Sequence, residues 1–214
     1  MNVIIILVPL IGTIFGVMYY YNSQEFTELL LAQPIKRSSI FLGQYLGVAL
    51  SLSMSLIIGL GIPFIAYGIF KSDAIWDFSL LLVTGTFLTL IFTALAFLIA
   101  LYNENKIKGF GYAILIWLFM AVIYDGIFLM SLIAFESYPL DSFSLLGTMA
   151  NPIDLSGVLI LLKLDISALL GYTGAVFQKF FGTNFGIIVS ISTLLLWVLI
   201  PTFLIQRKAK KKDF

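Results

Sequence analysis

Five long apolar runs constrain this chain more than any other feature. They lie at about 3–21, 40–69, 78–102, 109–134 and 183–206, and only the fourth holds a charged residue, Asp125. At the rise of an α-helix, about 20 apolar residues cross the hydrocarbon core of a bilayer. Lipid offers no partner to a free N–H or C=O, so only helices and closed barrels span it. A barrel needs alternating segments of about ten residues. These runs are longer and apolar on every face. The expected fold class is therefore all-α, a polytopic helical membrane protein with five spans in one transmembrane domain over 1–214. Composition agrees, since 61% of the 214 residues are hydrophobic and 11% are charged.

The few charges set the orientation, because Lys and Arg near span ends stay on the cytoplasmic side. If the connection between the first two runs is cytoplasmic, that side collects Lys36, Arg37, Lys106, Lys108, Arg207, Lys208, Lys210, Lys211 and Lys212. Only Lys71, Lys163 and Lys179 fall opposite. Segments 22–39 and 103–108 and the basic tail are then inside, and 71–77 and 136–179 outside. The tail KAKKKD reads as a topology anchor drawn to anionic lipid. This orientation puts Met1 outside. Met1 to Leu10 lacks the basic start and cleavage pattern of a signal peptide, and a preceding helix is expected.

The connection at 22–34 is more than a linker. Asn22 or Ser23 is suited to cap a helix, Glu25 and Glu28 complement its positive end, and Pro34 stops it before Lys36 and Arg37. Phe26, Leu29, Leu30 and Ile35 fall mainly at helical spacing. Two readings fit this amphipathic helix, one lying on lipid and one docking a cytoplasmic partner.

Within the runs, Gly12 with Gly16, Gly43 with Gly47, and Gly182 with Gly186 have the spacing that lets helix backbones approach in lipid, and are read as contact faces. Pro63 predicts a kink in the second run. Asp125, beside Tyr124, is expensive in lipid and is expected to face the bundle interior, a watery cavity or a partner. A transport route and a structural hydrogen bond are both open for it.

The segment 136–180 reads as an outer helical loop. Asn151-Pro152-Ile153-Asp154 forms a turn and cap, and from Leu155 the apolar positions Val158, Leu159, Leu162, Ile166, Leu169 and Leu170 predict a helix. Interrupted by Lys163 and Asp165, it is expected at the outer interface. A second amphipathic piece, 174–181, leads into the last span. Lipid anchoring and an outer partner platform are both open for this region.

Catalytic constellations are missing from the sequence. With His 0 and Cys 0 there is no imidazole base, no thiolate and no conventional transition-metal site. No GxxxxGK[ST] phosphate loop occurs. Met54, Met120, Met130 and Met149 read as packing filler. The net charge of +1 gives no sign of a nucleic-acid partner.

The stretch YYYNSQEFTELLLAQPIKRSSIFLGQYLG carries a pattern of span, acidic segment, Leu-Leu-x-Gln-Pro-x-x-Arg and next span. It resembles the permeases of type-2 ABC exporters. Over nearly the full length the chain resembles, more narrowly, the permeases that serve maturation of nitrous oxide reductase, on Tyr124-Asp125, Asn151-Pro-Ile-Asp154 and Leu164-Asp165. The resemblance implies a homodimer in the bacterial inner membrane, six spans per subunit, driven by two copies of a separate ATPase. This chain begins where the second family span would. ATP and Mg would belong to the ATPase, and this chain would hold no cofactor. The resemblance makes Glu25, Phe26, Glu28, Leu29, Leu30, Gln33, Pro34, Lys36 and Arg37 a coupling helix in an ATPase groove. It also implies a periplasmic β-helical partner, for which Asn151, Pro152, Asp154 and Asp165 would form the outer platform, and assembly of a copper–sulfur centre. Without His or Cys, export of a sulfur species or mechanical coupling fits better than handing copper across. The alternative readings are an exporter permease for a lipid, a drug or gliding-type machinery, and an autonomous membrane protein.

Overall fold

The computed structural model describes residues 2–66, 75–135, 140–163 and 177–210. Among the described residues all regular structure is helical. In chain order the elements are α1 (Asn2–Asn22), α2 (Gln24–Leu31), α3 (Arg37–Ala66), α4 (Ile75–Tyr102), α5 (Lys106–Leu118), a π turn (Phe119–Ile123), α6 (Tyr124–Ala134), α7 (Asp141–Ala150), α8 (Pro152–Lys163) and α9 (Asn184–Ala209). Five helices are long and apolar enough to cross a membrane: Val3–Asn22, Arg37–Ala66, Phe78–Tyr102, the continuous Lys106–Ala134, and Asn184–Ala209. These match the five predicted runs. Asp165, the pattern beyond Lys163, residues 174–176 and Lys211 and Lys212 lie outside the described residues, as does part of the 71–77 loop.

The bundle is built around α4, which touches α1, α3, α5, α8 and α9. Lipid tails are as apolar as leucine, so helices join there through close packing and polar contacts instead of hydrophobic exclusion. The α1–α4 seam shows how. A Cβ on Gly16 would lie 2.8 Å from Ala96 Cβ, and one on Gly12 would lie 3.2 Å from Thr93 Oγ1. The first glycine pair is therefore a contact face, as its spacing predicts. The other two differ. Nothing lies within 4 Å of a Cβ on Gly43 or Gly47, and Gly182 and Gly186 sit against the backbone of their own turn at Gln178 and Phe180. Spacing reports small residues but not which face of a helix finds a neighbour.

Two clusters divide the core along the helix axes. One gathers Val17, Tyr20, Tyr21, Phe41, Tyr45, Phe97, Leu101 and Ile205. The other gathers Ile5, Leu88, Phe92, Ile153, Leu155, Leu159, Phe181 and Leu194. Some hydroxyls inside the bundle are turned onto their own helix: Thr84 Oγ1 donates to Leu80 O at 2.8 Å and Thr89 Oγ1 to Gly85 O at 2.9 Å. Back-bonding of this kind hides a hydroxyl without a cross-helix partner.

The outer segment differs from the expected interfacial helix. Its described residues include two helices, Asp141–Ala150 and Pro152–Leu161, bent by 115° at Asn151 and together apolar enough for one broken span or a re-entrant loop, and a helical turn at 177–181. The second begins at Pro152, not Leu155, since proline suits a first helical turn. Leu155, Ser156, Leu159 and Ile160 are buried, and α8 packs on α1, α4 and α9. Of the apolar positions counted from Leu155, Val158 and Leu159 thus meet protein, where a helix at the outer interface was expected. α3 runs on through Pro63 to Ala66.

Replacing Gly16 with leucine is expected to separate α1 from α4 and destabilise the protein by about 1–3 kcal/mol, the usual range for overpacking. Gly43→Leu, on an open face, is expected to leave stability unchanged. Thermal unfolding of both variants in detergent measures the difference.

Candidate functional site

Three chain connections meet at one end of the bundle. Tyr21 Oη donates to Asn103 O at 2.8 Å, and Lys106 Nζ donates to Asn22 Oδ1 at 2.9 Å, joining the end of α1 to the α4–α5 turn. Lys208 Nζ, near the end of α9, lies 4.5 Å from the Tyr102 ring centroid. Asn105 caps α5 by accepting from Ile107 N and Lys108 N. Gly109 has no Cβ because Tyr21 Oη occupies its place. Of the basic residues assigned to one side of the membrane from sequence, Lys106, Lys108, Arg207 and Lys208 gather at this end.

α2 sits at this end, shorter than the predicted 22–34. The expected N-cap is not used: Ser23 makes no side-chain cap bond, and its Oγ donates to Tyr20 O at 3.3 Å. Ser23 alone separates α1 from α2, and its own N–H still donates to Tyr19 O at 2.9 Å. A chain that barely leaves helical conformation has little need of a side-chain cap. α2 ends at Leu31, before Gln33 and Pro34.

The exposure of α2 inverts what an amphipathic helix does in a soluble protein. Phe26 is 55% exposed and Leu29 68% exposed. Glu25, Glu28, Gln33, Pro34, Lys36 and Arg37 are also exposed, and Leu30 is intermediate. The one buried residue of α2 is Thr27. Its Oγ1 accepts from Gln44 Nε2 of α3 at 2.7 Å. Sequence reasoning missed both residues, although an amide in the first turns of an apolar span is a visible signal.

At the other end the structure brings together two groups of residues singled out separately in the sequence. The π turn shifts α6 relative to α5, and Asn151 at the α7–α8 bend donates from Nδ2 to Met120 O in that turn at 2.7 Å. Asn151 Oδ1 accepts from Ile153 N at 3.1 Å. Tyr124 Oη donates to Gly147 O at 2.6 Å, and Phe128 occupies the space that a side chain on Gly147 would take. A carbonyl in a π turn is open to outside donors because the regular ladder is interrupted there.

Asp125 and Asp154 meet across this junction. Asp154 lies beside Asn151 and Asp125. Its buried Oδ2 has no N–H or O–H donor. The pair lines a cleft of about 400 Å³ with Ile5, Phe128, Thr148 and Phe177. A second groove of about 350 Å³, among Ile4, Leu7, Leu52, Leu56 and Leu60, offers no charged group. Asp125 follows Lys106 by about 28 Å of helix, the thickness of a hydrocarbon core, which puts it near the far boundary instead of the middle. Asn151 and Pro152 are buried, and Asp154 is intermediate. Asn151 and Pro152 therefore join helices inside the protein, with Asp154 half-buried beside them. Among the described residues no three His, Cys, Asp or Glu side chains converge on one point.

No family model matches the chain. Among curated proteins it is similar to the probable ABC transporter permease protein NosY of Stutzerimonas stutzeri, with 27% identity over 113 residues. The match covers 50% of this chain and 41% of the length of that relative. The chain is NosY-like in sequence over that half.

Asn151→Leu would leave the Met120 carbonyl and the Ile153 amide without partners. The expected loss is about 2–6 kcal/mol, since each of the two buried unsatisfied groups costs about 1–3 kcal/mol. Ser156→Ala is the matched control, because Ser156 Oγ is buried with no hydrogen-bond partner. Its removal is expected to be neutral or stabilising in the same detergent unfolding assay.

Proposed function

We propose, from the NosY likeness and the geometry of the basic end, that this chain is the membrane permease subunit of an ABC transporter. In this reading the chain is no enzyme. Glu25, Phe26, Glu28, Leu29, Leu30, Gln33, Pro34, Lys36 and Arg37 form the surface that docks a separate ATPase, whose ATP and Mg remain in that partner. The observation that carries the reading is the outward apolar face of α2, with Phe26 and Leu29 exposed where the basic chain ends collect. A lipid surface would serve Phe26 and Leu29, but it would leave Glu25 and Glu28 unfavourably placed beside anionic headgroups. A groove in a protein partner accommodates both.

The finer proposal is an inner-membrane homodimer serving maturation of the copper–sulfur centre of nitrous oxide reductase, by export of a sulfur species or by mechanical coupling to a β-helical periplasmic partner. Its support is the likeness to NosY together with Tyr124-Asp125 and Asn151-Pro152-Ile153-Asp154, which share one junction. ATP-driven closure of the ATPases would move α2, and α1 and α3 would carry the displacement to the α7–α8 bend. Such transmission needs an interface with two discrete packings.

The double reversal Glu25→Lys with Glu28→Lys is expected to leave membrane insertion intact and to lower ATP-coupled work by about tenfold or more, the scale of a lost coupling energy. ATPase assays on the complex purified from native membranes, with complementation of a strain deleted for the chain, measure it. Full complementation by the double variant would overturn the docking assignment. Asp125→Asn is expected to express normally while lowering complementation severalfold, and an unchanged phenotype would reduce Asp125 to a packing role.

A further inference from the structure

The bond between α2 and α3 is an unfavourable choice for stability alone. Thr27 and Gln44 are 4% and 8% exposed. Thr27 Oγ1 donates its only proton to Ser23 O at 2.7 Å, so toward Gln44 it acts only as an acceptor. That fixes the amide with Nε2 on Thr27, and Gln44 Oε1 is left buried with no hydrogen-bond partner. Two apolar residues of similar shape would fill the same space with no orphaned acceptor. What they would lack is direction. An apolar contact tolerates sliding, whereas a hydrogen bond weakens steeply as its angle falls.

The relay has three members in line: Ser23 at the α1–α2 joint, Thr27 on the inward side of α2, and Gln44 two turns into α3. Exposed Phe26 and Leu29 lie on the other side of the helix from this contact. Ser23 ties the start of α2 to α1, and Thr27, the one buried residue of α2, sets how the rest of the helix sits against α3. We infer that Thr27 and Gln44 are positioning residues that lock α2 in register with α3, so that a displacement applied to α2 enters the transmembrane span instead of being lost in the 32–36 turn. The inference rests on the proposed docking of an ATPase to α2 and adds the route by which the load leaves it.

The chain contains Cys 0, so Gln24→Cys in α2 with Leu50→Cys in α3 introduces one pair of spin-label sites per subunit, diluted with unlabelled subunit so that the distance is read within one chain. Both positions are exposed. In the complex purified from native membranes and placed in lipid nanodiscs, the α2–α3 distance distribution is expected to be narrow and unmoved by ATP and Mg. Thr27→Val and Gln44→Leu are each expected to broaden it. The same variants are expected to keep ATPase association and hydrolysis but lose about tenfold in complementation of the deleted strain. Thr27→Ser, which restores the hydroxyl, is expected to recover both readouts. A narrow distribution with full complementation in both variants would overturn the inference and leave the docking proposal standing. Loss of folding or of ATPase association in Thr27→Val would also overturn it, by making the role structural. Retained coupling in the Glu25 and Glu28 reversal overturns the docking proposal, and the inference with it.

Discussion

Close backbone approach between α1 and α4 is the constraint on which the rest of the bundle depends. Inside a bilayer no water is released when two helices meet, so contact area and fit decide whether they stay together. Gly12 and Gly16 let α1 lie against Thr89, Thr93 and Ala96 of α4. This seam runs the length of both helices. It brings Tyr21 to the α4–α5 turn at one end and Ile5 to the α8 cluster at the other. With α1 fixed, the start of α2 is placed too, because Ser23 is the only residue between them. The outward face of α2 is thus a property of the α1–α4 contact as much as of its own sequence.

Polar contacts are spent where direction matters. At the basic end, Tyr21, Asn103, Asn105 and Lys106 hold a turn, and Gln44 holds α2. At the other end, Asn151 and Tyr124 tie the α7–α8 bend to the π turn and α6. Between them Thr84 and Thr89 of α4 bond to their own helix. Two oriented networks joined by smooth apolar helices is an arrangement suited to carrying movement from one end to the other.

The sequence made the helical spans, their order and the gathering of the basic ends legible, because apolar length and the placement of Lys and Arg act residue by residue. It also pointed to Asp125 and to Asn151 with Asp154. It did not reveal that they meet. That depends on a π turn at Phe119–Ile123, which no propensity marks, and on Gly147, whose missing side chain admits Phe128. The outer helix was misread for a related reason. A short apolar helix with charges near its end has the same pattern whether it covers lipid or protein, and only tertiary contact tells them apart. Thr27 and Gln44 were missed because a search for chemistry passes over neutral side chains.

The bent pair α7–α8 carries a consequence for the making of the protein. It is a wedge whose seat is laid down early, since α1, α4 and the π turn all precede it along the chain. Its cover comes last: Trp197 of α9 donates to Met149 O at 3.3 Å, beside the bend. Order of synthesis and order of packing therefore coincide, and the final helix can close over a wedge already resting in its groove.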